Sequence, residues 1–188
     1  MDDVSLTNHG SSAASPYRFR PIAESDLALL ARWRTAPHVV EWWGVADGPE
    51  ELAEDGVAKW IVEFDGRPFA FAQDYDPHAW DDHHFAHLPA GSRGIDQFIG
   101  EADMLGRGHG TAFVRQHLAR LVAAGAPAVG TDPHPRNARA IRAYGKAGFR
   151  AVDSPVATAW GEVILMECWR PESDGAPLQR TYGNVRQS

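Results

Sequence analysis

A cluster of glycines, Gly106-Arg107-Gly108-His109-Gly110, joins a strand-like run to a segment with helical spacing, and no other junction constrains this chain as tightly. Upstream, residues 94–99 form an apolar strand interrupted by one acid, Asp96. Downstream, Val114, Leu118, Leu121 and Val122 recur at helical intervals. A glycine turn that feeds a helix leaves unpaired backbone N–H groups at the positive end of the helix dipole, which suits a phosphate or pyrophosphate. The spacing G-x-G-x-G differs from the dinucleotide fingerprint G-x-G-x-x-G, and no Gly-Lys-Ser/Thr follows as a Walker loop requires. A plain turn would use the same residues, so the cluster needs corroboration from its surroundings.

Those surroundings are a succession of strands and helices. Residues 17–22 alternate as a strand, and Ser25 and Asp26 offer caps for a helix with Leu27, Leu30, Ala31 and Trp33 on one side. Residues 49–59 predict a second, poorer helix. Residues 60–64 and 68–75 flank Asp65-Gly66 and predict a β-hairpin. Residues 76–92 form a long loop dense in His, Asp, Pro and Gly, and loops beyond about 12–15 residues are commonly functional or disordered. After the glycine junction come a strand at 128–131, a helix at 137–147 stopped by Gly148, and strands at 149–152 and 162–168. Strands first, then alternating strands and helices, imply a mixed α/β sheet with helices on its faces.

The 188 residues suit a single domain, expected over 17–170, with a flexible arm at 1–16 and a weakly patterned tail at 171–188. A net charge of −7 argues against sequence-independent nucleic-acid binding and favours cationic partners. No apolar run is long enough to span a bilayer, and the start lacks a basic and apolar leader, so a cytoplasmic protein with no membrane partner is expected. The single cysteine, Cys168, excludes an internal disulfide framework and a cysteine-based zinc site. It reads as a small hydrophobe rather than a nucleophile. His83, His84 and His87 fall short of metal-ligand spacing and read as a solvated loop, so no metal is expected.

A third motif corroborates the glycine turn. The run Asn137-Ala138-Arg139-Ala140-Ile141-Arg142-Ala143-Tyr144-Gly145-Lys146-Ala147-Gly148-Phe149 resembles the second cofactor motif of the GNAT acetyltransferase superfamily, through Asn137, Ala140, Tyr144, Lys146, Gly148 and Phe149. The resemblance spans about residues 17–169. It implies an α/β (α+β) fold with a mixed, mostly antiparallel sheet, splayed central strands and helices on both faces. It also implies acetyl-CoA as co-substrate, with the pantetheine between the splayed strands. Cofactor contacts are then expected from Phe98, Ile99, Gly106, Arg107, Gly108, His109, Gly110, Thr111, Asn137, Ala140, Tyr144 and Lys146. Leu105 stands where the family usually has Gln or Arg, which weakens one phosphate-side contact and leaves the backbone nest intact.

Within that superfamily, four strings are similar to the aminoglycoside 6′-N-acetyltransferases. They are His38-Val39-Val40-Glu41-Trp42-Trp43-Gly44, Ala72-Gln73-Asp74-Tyr75, Arg93-Gly94-Ile95-Asp96-Gln97 and Thr131-Asp132-Pro133. The resemblance implies acetylation of a sugar amine, at 6′ or at another position such as 2′ on kasugamycin, and hence antibiotic resistance. Siderophore-type or lysine-type N-acyltransferases share a Trp-Trp-like segment and stand as the alternative, with a non-catalytic acyl-CoA sensor as a third. A polycationic sugar calls for carboxylates and for indole faces. Trp42, Trp43, Gln73, Tyr75, Asp81, Asp96 and Asp132 are the expected substrate contacts, Trp43 facing the ligand and Trp42 the core. Asp74, Asp76 and Asp82 are loop acids that either join them or are merely solvated.

The chemistry needs a base, because a substrate amine arrives protonated. Asp96 is the candidate, with Asp132 holding the amine and sharing the base role. The backbone N–H of Phe98 is the expected oxyanion donor. Tyr144 either protonates the leaving thiolate or only packs against the pantetheine. The partner is a cationic small-molecule amine, with the protein a monomer or homodimer.

Overall fold

The computed structural model describes residues 15–44, 54–152 and 154–170. Most of the expected arm and all of the tail from Pro171 lie outside these residues. A seven-stranded sheet organises them, in the order β1-β2-β3-β4-β5-β9-β6. Its strands are β1 (Tyr17–Pro21), β2 (Val57–Phe64), β3 (Arg67–Tyr75), β4 (Arg93–Ile99), β5 (Ala128–Thr131), β6 (Arg150–Ala151) and β9 (Met166–Trp169). A separate hairpin pairs β7 (Val156–Thr158) with β8 (Gly161–Val163). Every pairing in the large sheet is antiparallel except β4 with β5.

That one parallel pairing is short. Arg93 faces Val129 and Gly94 faces Gly130, and beyond them the two strands separate. The expected splay is therefore present, and β4 runs on from Ile95 to Ile99 with one backbone edge free of β5. Alternation along the central strands sends side chains to two cores. Val62, Ala70, Ala72 and Ile95 pack with Phe113, Val114 and Leu118 of α3 (His109–Ala123), and with Tyr144 and Ala147 of α4 (Ala138–Ala147). Ile61, Phe71 and Phe98 pack with Leu30 and Trp33 of α1 (Leu27–Arg34) and Val39 of α2 (Pro37–Trp43). Helices thus cover both faces.

Three local expectations need correction. Residues 57–59 belong to β2 rather than to a helix, and Gly56 precedes them at φ +78°, a left-handed turn that stops helical propagation. Residues 54–56 of that predicted helix form a bridge and turn instead, and 49–53 lie outside the described residues. Residues 162–168 are split: β8 ends at Val163, Ile164 N–H turns aside to the Pro133 carbonyl, and β9 resumes at Met166. Finally, α2 was not expected, because seven residues with two adjacent valines and two tryptophans carry little helical signature. Pro37 at its first turn and Gly44 at φ +67° bound it.

The loop between β3 and β4 is anchored rather than solvated. Phe85 and Leu88 are buried against Ala128, and a Cβ on Gly130 would strike the Phe85 ring at 2.8 Å. Asp76 accepts a hydrogen bond from His78 N–H at 2.9 Å and starts the loop as a capped turn. Among the described residues no helix is long and apolar enough to cross a membrane.

Candidate active site

Two cavities meet where β4 and β5 part. The first, about 290 Å³, is lined by Phe98 and Ile99 of β4, by Gly106, Gly108, Gly110 and Thr111, and by Asn137, Ala140, Tyr144 and Lys146. The glycine turn folds as its residues require. Gly106 and Gly108 sit at φ +71° and +86°, which a side chain would strain, while Gly110 is helical and faces the cavity. The first intrahelical bond is Ala112 N–H to the Gly108 carbonyl, so the N–H groups of residues 109–111 have no acceptor within the helix. At α4, the Asn137 side chain accepts from Ala140 N–H at 3.0 Å and so caps the helix that carries Tyr144 and Lys146.

Two cofactor expectations are not met at the side-chain level. The His109 ring turns inward, to a 2.9 Å contact with the Tyr17 hydroxyl and against the rings of Phe64 and Phe69. Arg107 is exposed and lies off the cavity wall, reaching back to the Asp103 carbonyl. Only their backbones are available to an anion. In exchange, Arg139, Arg142 and His38 line this cavity, and sequence reading did not single them out.

The second cavity, about 520 Å³, is lined by Trp42, Trp43, Gln73, Tyr75, Asp96 and Asp132, which the fold thus brings together. Trp80, His83, His84, His134 and Trp160 share its wall and were missed. The dense His content of the 76–92 loop was the available signal for Trp80, His83 and His84; His134 and Trp160 had none. Asp81 is exposed and lines neither cavity. Asp74 points to the opposite face, as strand alternation demands between Gln73 and Tyr75. There it is buried and accepts from Trp60 Nε1 at 2.8 Å and Arg93 Nη2 at 2.7 Å, with His117 Nε2 at 3.3 Å. These partners outweigh burial and hold its carboxyl down at about 2.

The two indoles do not divide into one core and one ligand face. Both are half-buried and both line both cavities. Trp43 is the one packed edge-on against Phe71 and Phe98, and Trp42 sits beside His134, because Trp33 already fills the core under α1. His83 is likewise buried, and stacks on His84 at 4.3 Å between ring centroids, so the solvated-loop reading of these histidines is overturned. Only His87 is outside, in contact with Glu167 at 2.6 Å.

Asp96 lies deep in the sheet yet opens onto the cavity. Gln73, its cross-strand partner, donates an amide N–H to it at 2.9 Å, and Asp132 is in hydrogen-bond contact on the other side. Burial first, then the Asp132 charge, push its carboxyl up to about 7. Tyr144 touches the Gln97 amide and Thr131, and burial pushes its phenol up to about 12, so it remains a neutral donor. Gln97 stands at the junction of the two cavities.

The backbone register corrects the oxyanion donor. Gly100 N–H bonds the Phe69 carbonyl, and β3 pairs with β4 in unbroken register from Ala70–Ile99 to Tyr75–Gly94. Antiparallel alternation then directs the Phe98 N–H to Phe71 in β3, away from the splay. The N–H groups that face the opening are those of Gln97 and Ile99. The Ile99 carbonyl, on the same edge, is met by His38 Nε2 at 3.0 Å.

With this geometry in view, known proteins agree. A family model described as an acetyltransferase (GNAT) domain matches residues 23–154. The aminoglycoside N(6′)-acetyltransferase type 1 of Klebsiella pneumoniae is 37% identical over 179 residues, covering 86% of this chain and 85% of that protein. A kanamycin resistance protein of Rhizobium radiobacter is 43% identical over 77 residues, covering 40% of this chain and 70% of that one. The solved structure of the aminoglycoside acetyltransferase AAC(6′)-Ib with ribostamycin and coenzyme A superposes with a TM-score of 0.74 at 34% identity, covering 83% of this chain and 94% of that chain. A family model over most of the chain and a relative 37% identical over nearly its whole length show that the chain belongs to the GNAT acetyltransferase family.

Proposed function

We propose that this protein transfers the acetyl group of acetyl-CoA to an amine of an aminoglycoside, the 6′ amine being favoured, and so inactivates the drug. The observation that carries this reading is the meeting of two cavities at Gln97 and Tyr144, with Asp96 on the wall of the second. One cavity presents backbone donors and basic side chains suited to a CoA phosphate chain; the other presents carboxylates and aromatic faces suited to an aminosugar. The names of the relatives point the same way. Residues 17–170 act as one acetyltransferase domain, and the donor implies a cytoplasmic setting.

In this reading acetyl-CoA supplies the thioester, with its pantetheine between β4 and β5. The bound ammonium pairs with Asp132 and loses a proton to Asp96, whose affinity for protons near neutrality matches that task far better than an ordinary carboxylate. The N–H groups of Gln97 and Ile99 are the donors available to the thioester carbonyl and the pantetheine amide. Tyr144, held neutral by burial, donates its proton to the departing thiolate, and the acylated nitrogen's second proton restores the phenol. Thiol release from acetyl-CoA in the presence of kanamycin tests the reading. Asp96→Asn keeps the side chain's size and removes the base, so turnover should fall about 10²–10⁴-fold while acetyl-CoA binding persists. Wild-type turnover in Asp96→Asn, or no release with any aminosugar, overturns it.

A further inference from the structure

The acceptor cavity holds an imidazole that the proposed chemistry leaves unused. His84 Nε2 lies 3.1 Å from Asp132 Oδ2, with its side chain only 10% exposed. Both ring nitrogens are buried, and neither has an aligned hydrogen-bond partner among the described residues. The ring is gripped by its neighbours: stacked on His83, tilted against Phe85 at 4.6 Å and edge-on to Trp160 at 5.6 Å. A polar ring clamped in this way, with a carboxylate at contact distance, is poised to act on that carboxylate.

We propose that His84 is a positioning residue for acetyl transfer, its Nε2 edge contacting the Asp132 carboxyl group and so governing how readily the Asp96–Asp132 pair gives up its shared proton. The inference rests on the acetyl-transfer reading above. Two carboxyls in contact resist double ionisation, and a donor on the second one relieves that resistance whether the imidazole is neutral or charged. Other groups around the pair have different work. Gln73 and Tyr75 approach from β3, the former already bonded to Asp96, and Tyr144 approaches from α4. His83 is driven down to about 4 by burial and by the neighbouring His84, and so stays neutral; His78 lies beyond it. Glu54, on the same cavity wall, pairs with Lys59 at 3.2 Å, and His134 lies against Trp42. Among the described residues, the ion-pair partner of Asp132 is His84.

The experiment compares His84→Ala, His84→Gln and His84→Asn. The glutamine amide reaches the Nε2 position, whereas the asparagine amide reaches only the Nδ1 position. Carboxyl carbon NMR titration of the folded enzyme, without substrate, follows the pair directly, and the pH profile of kcat/KM for kanamycin follows its consequence. His84→Ala and His84→Asn should raise the upper apparent pKa of the pair by about one pH unit and move the acid limb of the profile with it. His84→Gln should stay close to wild type. An unchanged titration in the alanine and asparagine variants, or an equal shift in the glutamine variant, overturns the proposal. If the alanine variant does not fold, the glutamine–asparagine contrast decides. Failure of the acetyl-transfer reading looks different: Asp96→Asn would then retain full turnover, whatever His84 does to the titration.

Discussion

Two aspartates on neighbouring strands, Asp74 of β3 and Asp96 of β4, show how much a carboxylate's surroundings decide. Asp74 has three donors and is held down at about 2, so its stabilisation is fully present above the ordinary value of 3.8 and is lost as pH falls through about 2. Asp74→Ala leaves the buried His117 and the half-buried Trp60 and Arg93 without their acceptor and should cost about 1–3 kcal/mol in denaturant unfolding. Acetyl-CoA affinity of the folded fraction should be unaffected, because Asp74 lies on the face away from both cavities. Asp96 carries the opposite sign. Its folded value near 7 exceeds 3.8, so between these limits the native state binds more protons than the unfolded chain. Its contribution is therefore present at low pH and is lost as pH rises through about 7. Thermal melting should accordingly show Asp96→Asn gaining on wild type between about pH 4 and about pH 8. Parallel melting curves across that range would mean that Asp96 titrates normally. Nothing in composition separates these two acids; their opposite faces on neighbouring strands do.

At the scale of elements, the turn into α3 combines two demands that point mutations can separate. Gly108 is required by its backbone, since a Cβ there meets open space but must adopt φ +86°. Gly108→Ala should destabilise the fold by about 1–2 kcal/mol. Gly110 has an ordinary backbone, and an added Cβ would only touch Ile99 at 3.7 Å. A larger side chain there projects toward the cofactor cavity. Gly110→Val should therefore raise KM for acetyl-CoA strongly, with little change in melting temperature or in KM for the amine. Steady-state kinetics with each substrate varied in turn is the check, and equal KM values for acetyl-CoA would remove the turn from the cofactor site. The glycine cluster, the Asp65-Gly66 hairpin and the asparagine-capped α4 were all legible because each is a local backbone requirement written in residue type. The α2 helix and the β7–β8 hairpin were not, being short and held by what they pack against.

Across the whole molecule, loops from distant parts of the chain close one cavity. Trp160, at the tip of the β7–β8 hairpin, is 65% exposed and leans on His83 and His84, which belong to the loop before β4. An exposed indole at a cavity mouth offers a stacking face to a sugar ring or ammonium, worth about 1 kcal/mol. Trp160→Ala should raise KM for the amine severalfold and leave KM for acetyl-CoA unchanged; identical kinetics for both would confine Trp160 to a structural role. Asp96, Asp132, Tyr144 and the glycine turn could be named from the chain alone, because their motifs have fixed spacing and each motif stays within one element and its flanks. The fold class followed from the same motifs and from the order of strands and helices. Other features depended on pairing. The Phe98 N–H was misassigned because hydrogen-bond direction alternates along a strand, and only the register against β3 says which residues face the splay. The histidine pair read as solvated because burial there comes from Phe85 locking a loop under β5, a contact between residues whose spacing carries no signal. What the sequence determined by itself was therefore the set of candidate reacting groups and the backbone geometry each one needs. Only the tertiary structure decided which backbone donors, aromatic rings and second ionisable groups surround them, since those neighbours are chosen by strand pairing and packing across the sheet.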